Sequence, residues 1–112
     1  DDLISKMVAG IDRIEVQPDW DIAWHLCQVL IDFDLLQIRR VSFMEELRKK
    51  GVGTQIHYIP VHNQPYYRLR YGKVDLPGAE AFYNNCLSLP LSAKMEEADV
   101  VRVCEIIDSV IV

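Results

Sequence analysis

The hydrophobic period of this chain switches repeatedly between helical spacing and strand-like runs, and a chain patterned this way closes a core by laying helices against a small sheet. Leu3, Met7, Ile11 and Ile14 form one stripe with Ile4 and Val8 beside it, which predicts an amphipathic helix over residues 2–14. Gln17, Pro18 and Asp19 break the pattern. The run from Ala23 to Asp32, rich in Trp, Leu, Val and Ile, then predicts a largely buried first strand with Trp20 and Trp24 in the core.

From Leu36 to Lys50, Ile38, Val41, Met44 and Leu47 recur every three residues, while Glu45 and Glu46 stand four before Lys49 and Lys50. These features predict a second helix, stopped at Gly51. Val52 to Ile59 alternates Thr54, Ile56 and Tyr58 with Gly53, Gln55, His57 and Ile59, the period of a second strand closed by Pro60. Pro60 to Gly78 holds no lasting period and is expected to be an aromatic loop. Pro77 suits the first turn of a helix with Ala79, Phe82, Tyr83 and Cys86 on one face. Leu87 to Leu91 is a short strand stopped at Pro90. Val100, Val103, Cys104, Ile107 and Val110 mark a last helix from Glu96 to about Val110. The whole is an α+β fold, a small sheet covered by helices, and 112 residues suffice for one such domain over 1–112.

Twelve Lys and Arg against seventeen Asp and Glu give a net charge of -5, which draws in no polyanion, so nucleic acid is not an expected partner. No run of about eighteen apolar residues is present to span a membrane, and the N-terminus lacks the order of a signal peptide, which reads as a cytoplasmic chain. Cys27, Cys86 and Cys104 are scattered through apolar runs and read as buried free thiols rather than as a disulfide or metal ligands. The first residue is Asp1 with no Met before it, which reads as a fragment.

The densest chemistry lies between Gly51 and Arg68, where a strand end delivers polar rings into a proline-fixed loop. A proline confines itself and the residue before it to extended conformations, so Ile59 and Gln64 are pinned and the side chains between them are aimed. His57 and His62 suit hydrogen bonding to a phosphate or sugar, base chemistry, or the satisfaction of buried backbone groups. Metal ligation lacks a third ligand at suitable spacing. Tyr66, Tyr67 and Arg68 suit either an aromatic and cationic wall for a sugar or nucleotide, or packing of the loop against the sheet. His25, beside Trp24, reads as structural. No Ser-His-Asp set, glycine-rich phosphate loop or paired-cysteine pattern is present.

The run Gly-Val-Gly-Thr-Gln-Ile-His-Tyr-Ile-Pro-Val-His-Asn-Gln-Pro-Tyr-Tyr-Arg, from Gly51 to Arg68, resembles a signature near the C-terminus of the DegT-type nucleotide-sugar aminotransferases. The nearest likeness is to the branch that aminates a UDP-4-keto-6-deoxy-aminosugar for pseudaminic acid. Ala23-Trp-His-Leu26 before the run, and Ala79-Glu-Ala-Phe-Tyr83 and Leu87-Ser-Leu-Pro-Leu91 after it, extend the resemblance over nearly the whole chain.

The resemblance implies the C-terminal small domain of a fold-type I enzyme, with a mainly antiparallel sheet, that closes over a pyridoxal phosphate (PLP) site. The cofactor-bearing lysine and phosphate-binding residues belong to a large domain without counterpart here, and none of Lys6, Lys49, Lys50, Lys73 or Lys94 sits in the family's lysine motif. It therefore implies no catalytic residue and no cofactor bound by this chain alone, with PLP held in the parent. The substrate-facing positions implied are His57, Tyr58, Pro60, His62 and Gln64. The parent would transfer an amino group, commonly from glutamate, to a nucleotide sugar, and would be a homodimer. One departure is Glu96, where the family offers Thr or Ser as a helix cap. A free-standing module that binds a sugar or protein with the same fold is the reading from another class.

Overall fold

The structure, a computed structural model, describes residues 10–111. Three short strands form one antiparallel sheet, β1 (Ile11–Arg13), β2 (Cys27–Ile31) and β3 (Cys86–Leu89), in the order β1-β2-β3. Between β2 and β3 lie α1 (Phe33–Leu36), α2 (Arg40–Lys49), a 3-10 turn (Val61–Asn63), α3 (Pro65–Tyr71) and α4 (Pro77–Asn85), and α5 (Glu97–Ile111) follows β3. The α+β expectation of a small antiparallel sheet with helical cover holds.

Strand alternation gives the sheet two faces with different work to do. Val29 and Ile31 of β2 point to one face, where Ile31 pairs with Ile11 and Val29 with Leu87. They join Phe43 and Leu47 of α2 and Cys104 and Ile107 of α5 in a single core cluster. The other face of the strands carries Gln28, Cys86 and Ser88, with Gln28 paired directly to Ser88. All four residues of β3 are buried, so both faces of that strand are covered.

Local chemistry explains where several elements begin and end. Asp32 caps α1, its carboxylate accepting from the Leu35 N–H at 2.9 Å. Gly51, at φ 91°, lets the chain leave α2 in a conformation a side chain would resist. Pro65 opens α3 where its missing N–H costs nothing, and Gly72 ends it at φ 74°. At α5 the Asp99 carboxylate reaches back to the Glu96 N–H at 2.9 Å. That contact is half of a capping box, which offsets the absent Thr or Ser cap.

Five sequence expectations are corrected. The helix over 2–14 does not extend through its last turn, and its earlier part lies outside the described residues. Gly10 turns the chain at φ 103°, accepts from the Asp32 N–H at 2.8 Å, and Ile11–Arg13 then pairs with β2. The expected strand from Val52 to Ile59 contracts to one bridge, Gln55 to Ser88. Beyond it the His57 carbonyl accepts from the Gln28 amide at 2.9 Å and from the Cys86 thiol, so side chains replace the strand ladder.

The aromatic stretch after Pro60 is not a loop throughout but contains the 3-10 turn and α3. Trp20 and Trp24, expected in the core, are each 58% exposed, because both precede β2 in an irregular segment. Within α2 the inward stripe is Phe43 and Leu47, four apart, whereas Val41 is 65% exposed. A spacing of three drifts around a 3.6-residue turn, so the four expected positions cannot all face inward.

Candidate functional site

The polar face of the sheet positions the signature segment. Gln28 from β2 and Cys86 from β3 both donate to the His57 carbonyl, while His57 Nδ1 lies 2.7 Å from Ser88 Oγ. Three side chains from two strands thus fix the main chain and ring of one histidine. Tyr58 packs edge-on against that ring with centroids 4.6 Å apart, and its own ring stays exposed.

The proline-framed turn is braced separately. Asn63 N–H donates to the Pro60 carbonyl at 2.8 Å, and the Gln64 side-chain amide donates to the Ile59 carbonyl at 2.9 Å. His62, in the middle of the turn, sets Nε2 3.4 Å from Glu80 Oε1 of α4, with only 9% of its side chain exposed. Helix α4 is held in turn by α2, since the Arg40 guanidinium donates to the Tyr83 carbonyl and lies 4.9 Å over the Tyr83 ring.

Between this turn, α3 and α4 opens a cavity of about 590 Å3. His57, Tyr58, Pro60 and His62 line it from the signature, Tyr67 and Tyr71 from α3, and Phe82 and Tyr83 from α4. The wall is aromatic and aliphatic, its polar side chains are two imidazoles and four tyrosines, and no Lys or Arg lines it. Such a surface suits the apolar face of a sugar ring or a nucleobase, with a few directed hydrogen bonds to fix orientation.

Four of the five positions expected to face substrate therefore meet at one cavity. The fifth, Gln64, does not line it and spends its amide on the Ile59 carbonyl. Tyr67 lines the wall, whereas Tyr66, edge-on to Tyr67 with ring centroids 5.1 Å apart, and Arg68 are not part of it. Tyr71, Phe82, Tyr83 and Glu80 were not singled out as site residues by sequence reasoning. The Pro65-to-Gly72 frame was the available signal, since a helix between them turns Tyr67 and Tyr71 to one side.

A second cavity of about 410 Å3 lies by Trp20, Trp24 and Gln28 on the approach to β2. His25 is exposed. Among the described residues no group of three or more His, Cys, Asp or Glu could hold a metal, and no helix is long and apolar enough to cross a membrane.

Burial pushes the thiols of Cys27, Cys86 and Cys104 above their ordinary value, with Arg40 pulling Cys86 the other way. All three are free; Cys86 and Cys104 are buried and Cys27 is half-buried.

Residues 3–108 match the profile of the DegT/DnrJ/EryC1/StrS aminotransferase family. The chain belongs to that family. Among relatives of this DegT-type group, it is 43% identical over 91 residues to the uncharacterized protein MJ1066 of Methanocaldococcus jannaschii, a match covering 80% of this chain and 24% of the relative. It is 32% identical over 109 residues to the spore coat polysaccharide biosynthesis protein SpsC of Bacillus subtilis, covering 95% and 28%. Its fold is that of a portion of Helicobacter pylori PseC, an aminotransferase involved in the biosynthesis of pseudoaminic acid. That comparison has a TM-score of 0.80 at 23% identity and covers 98% of this chain and 29% of PseC. The chain thus spans about a quarter of the length of these DegT-family relatives.

The fold is also that of a portion of the putative sugar aminotransferase Spr1654 of Streptococcus pneumoniae, solved in a PLP form, at a TM-score of 0.80 and 21% identity over 98% of this chain and 28% of that one. When bound, PLP draws electrons from the substrate carbon through a covalent link to an amine. Among the described residues no lysine lines the larger cavity, while Lys49 is paired with Glu46 at 3.1 Å and Lys50 donates to Ser109 at 2.7 Å.

Proposed function

We propose that this chain is the small domain of a PLP-dependent nucleotide-sugar aminotransferase, and that its aromatic cavity closes over the substrate while the amine chemistry is performed elsewhere in the parent. The observation that carries the proposal is the convergence of His57, Tyr58, Pro60 and His62 on one cavity walled by α3 and α4. The family match and the quarter-length overlap with relatives support it. The parent would move an amino group, from glutamate, to a 4-keto-6-deoxy sugar nucleotide for surface polysaccharide.

The wall chemistry divides the substrate. Rings and imidazoles suit a sugar face, its hydroxyls or a nucleobase, whereas the diphosphate charge needs cations that this cavity does not line up. This chain's part is to orient the substrate and exclude water, which raises the effective concentration of reacting groups without bond-making by its own residues.

Two measurements test the proposal. The isolated chain mixed with PLP and reduced with borohydride should carry no stoichiometric label on any lysine by mass spectrometry, and should not aminate a nucleotide sugar; a single fully labelled lysine or unaided turnover overturns it. In the complete enzyme, His62→Ala should raise the substrate KM by about three- to tenfold, the worth of one hydrogen bond, with the melting temperature nearly unchanged. A large fall in melting temperature with KM intact would assign His62 to structure alone.

A further inference from the structure

We infer that Glu80 is a positioning residue for the larger cavity: its carboxylate fixes the tautomer of His62, so that this imidazole meets a ligand as a hydrogen-bond acceptor. The second half of this statement rests on the nucleotide-sugar reading above; the first does not.

The argument starts from what each partner can donate. An ionised carboxylate carries acceptors only, so the hydrogen in the 3.4 Å contact between Glu80 Oε1 and His62 comes from Nε2. A neutral imidazole has one N–H, and placing it on Nε2 leaves Nδ1 as the acceptor. Glu80 sits in the first turn of α4, where its backbone N–H donates to the Leu76 carbonyl at 3.0 Å and the helix dipole favours an acidic side chain, while its side chain is 41% exposed. His62 is constrained, held in the 3-10 turn between Pro60 and Gln64 and nearly sealed from solvent.

The two histidines of the cavity are thereby distinguished. His57 meets the Ser88 hydroxyl, which both donates and accepts and so imposes no tautomer. His62 meets a group that only accepts. An acceptor imidazole recognises a hydroxyl or an amide N–H, as borne by a sugar or an acylamino sugar, and has nothing to offer the oxygens of an ionised phosphate. The absence of Lys and Arg from the cavity lining agrees with that chemistry.

The test is nitrogen-15 NMR of the imidazole rings in this chain, at a pH where His62 is neutral. The wild type should show His62 as a single Nε2–H tautomer. Glu80→Ala should bring its two ring-nitrogen shifts toward each other as the tautomers mix, while His57 keeps its signals. Glu80→Gln, whose amide both donates and accepts, should likewise release the single tautomer, so that only the carboxylate enforces it. An Nδ1–H tautomer in the wild type, or ring shifts unmoved by Glu80→Ala, overturns the assignment.

In the complete enzyme Glu80→Ala should raise the substrate KM by about three- to tenfold with little change in kcat, and Glu80→Gln should not recover it in full. If the NMR result holds and KM does not move, Glu80 governs His62 and the ligand-facing half fails. If KM also stays fixed in His62→Ala, the nucleotide-sugar reading of the cavity fails with it.

Discussion

His57 and His62 stand five positions apart in the sequence and are held by unrelated chemistry, one by Gln28, Cys86 and Ser88 of the sheet and the other by Glu80 of a helix. Their proximity to prolines was legible in the sequence as aiming, but the partners were not, since each lies at least eighteen residues away. The thiols are a second case. Burial raises the Cys86 and Cys104 thiols, so the folded state prefers the neutral form. Unfolded thiols ionise near their ordinary value of about 8.5. Stability is therefore complete below that pH and is lost as pH rises through the raised folded values. The urea midpoint should be flat from pH 6 to 8 by this contribution and fall above about pH 9. Cys86→Ala with Cys104→Ala should flatten that fall, and an unchanged slope would remove the thiols from the account. Half-buried Cys27 should be the first of the three alkylated in native protein.

At the scale of elements, the sequence located helices with strong caps and stops better than it located strands. The helix after Pro77, the strand ending before Pro90 and the last helix stand within a residue or two of their expected positions, because proline geometry and a full apolar stripe act locally. The strand after Gly51 failed because its alternation was real but its ladder partner was available at Gln55 alone. The N-terminal helix failed at Gly10, where a positive φ and an exposed edge of β2 redirected the chain. Gly10→Ala should therefore destabilise the fold by about 1–2 kcal/mol, the penalty of a side chain in left-handed backbone. The new methyl would also press on Leu35 Cδ2 at 3.3 Å. Urea denaturation measures this, and an unaltered midpoint would mean that the turn is not needed for β1 pairing.

For the molecule as a whole, the two faces of the sheet divide the labour: one builds the core with α2 and α5, the other pins the signature segment beside α3 and α4. Hydrophobic count alone would have put the tryptophans in that core. Trp20 and Trp24 instead line a second cavity at the surface. The emission of the isolated chain should accordingly be red-shifted, and acrylamide should quench it efficiently; blue, poorly quenched emission would contradict their exposure.

By itself the sequence determined the class of fold, the family signature and the positions of the capped helices, because periodicity, proline geometry and helix stops act over a few residues. Only the tertiary structure decided that Gln55 keeps one bridge of an expected strand, that Tyr67 and Tyr71 turn toward His62, and that Glu80 meets it. Those outcomes depend on which distant donors and acceptors the packed sheet brings within hydrogen-bond reach, and a local pattern holds no record of them.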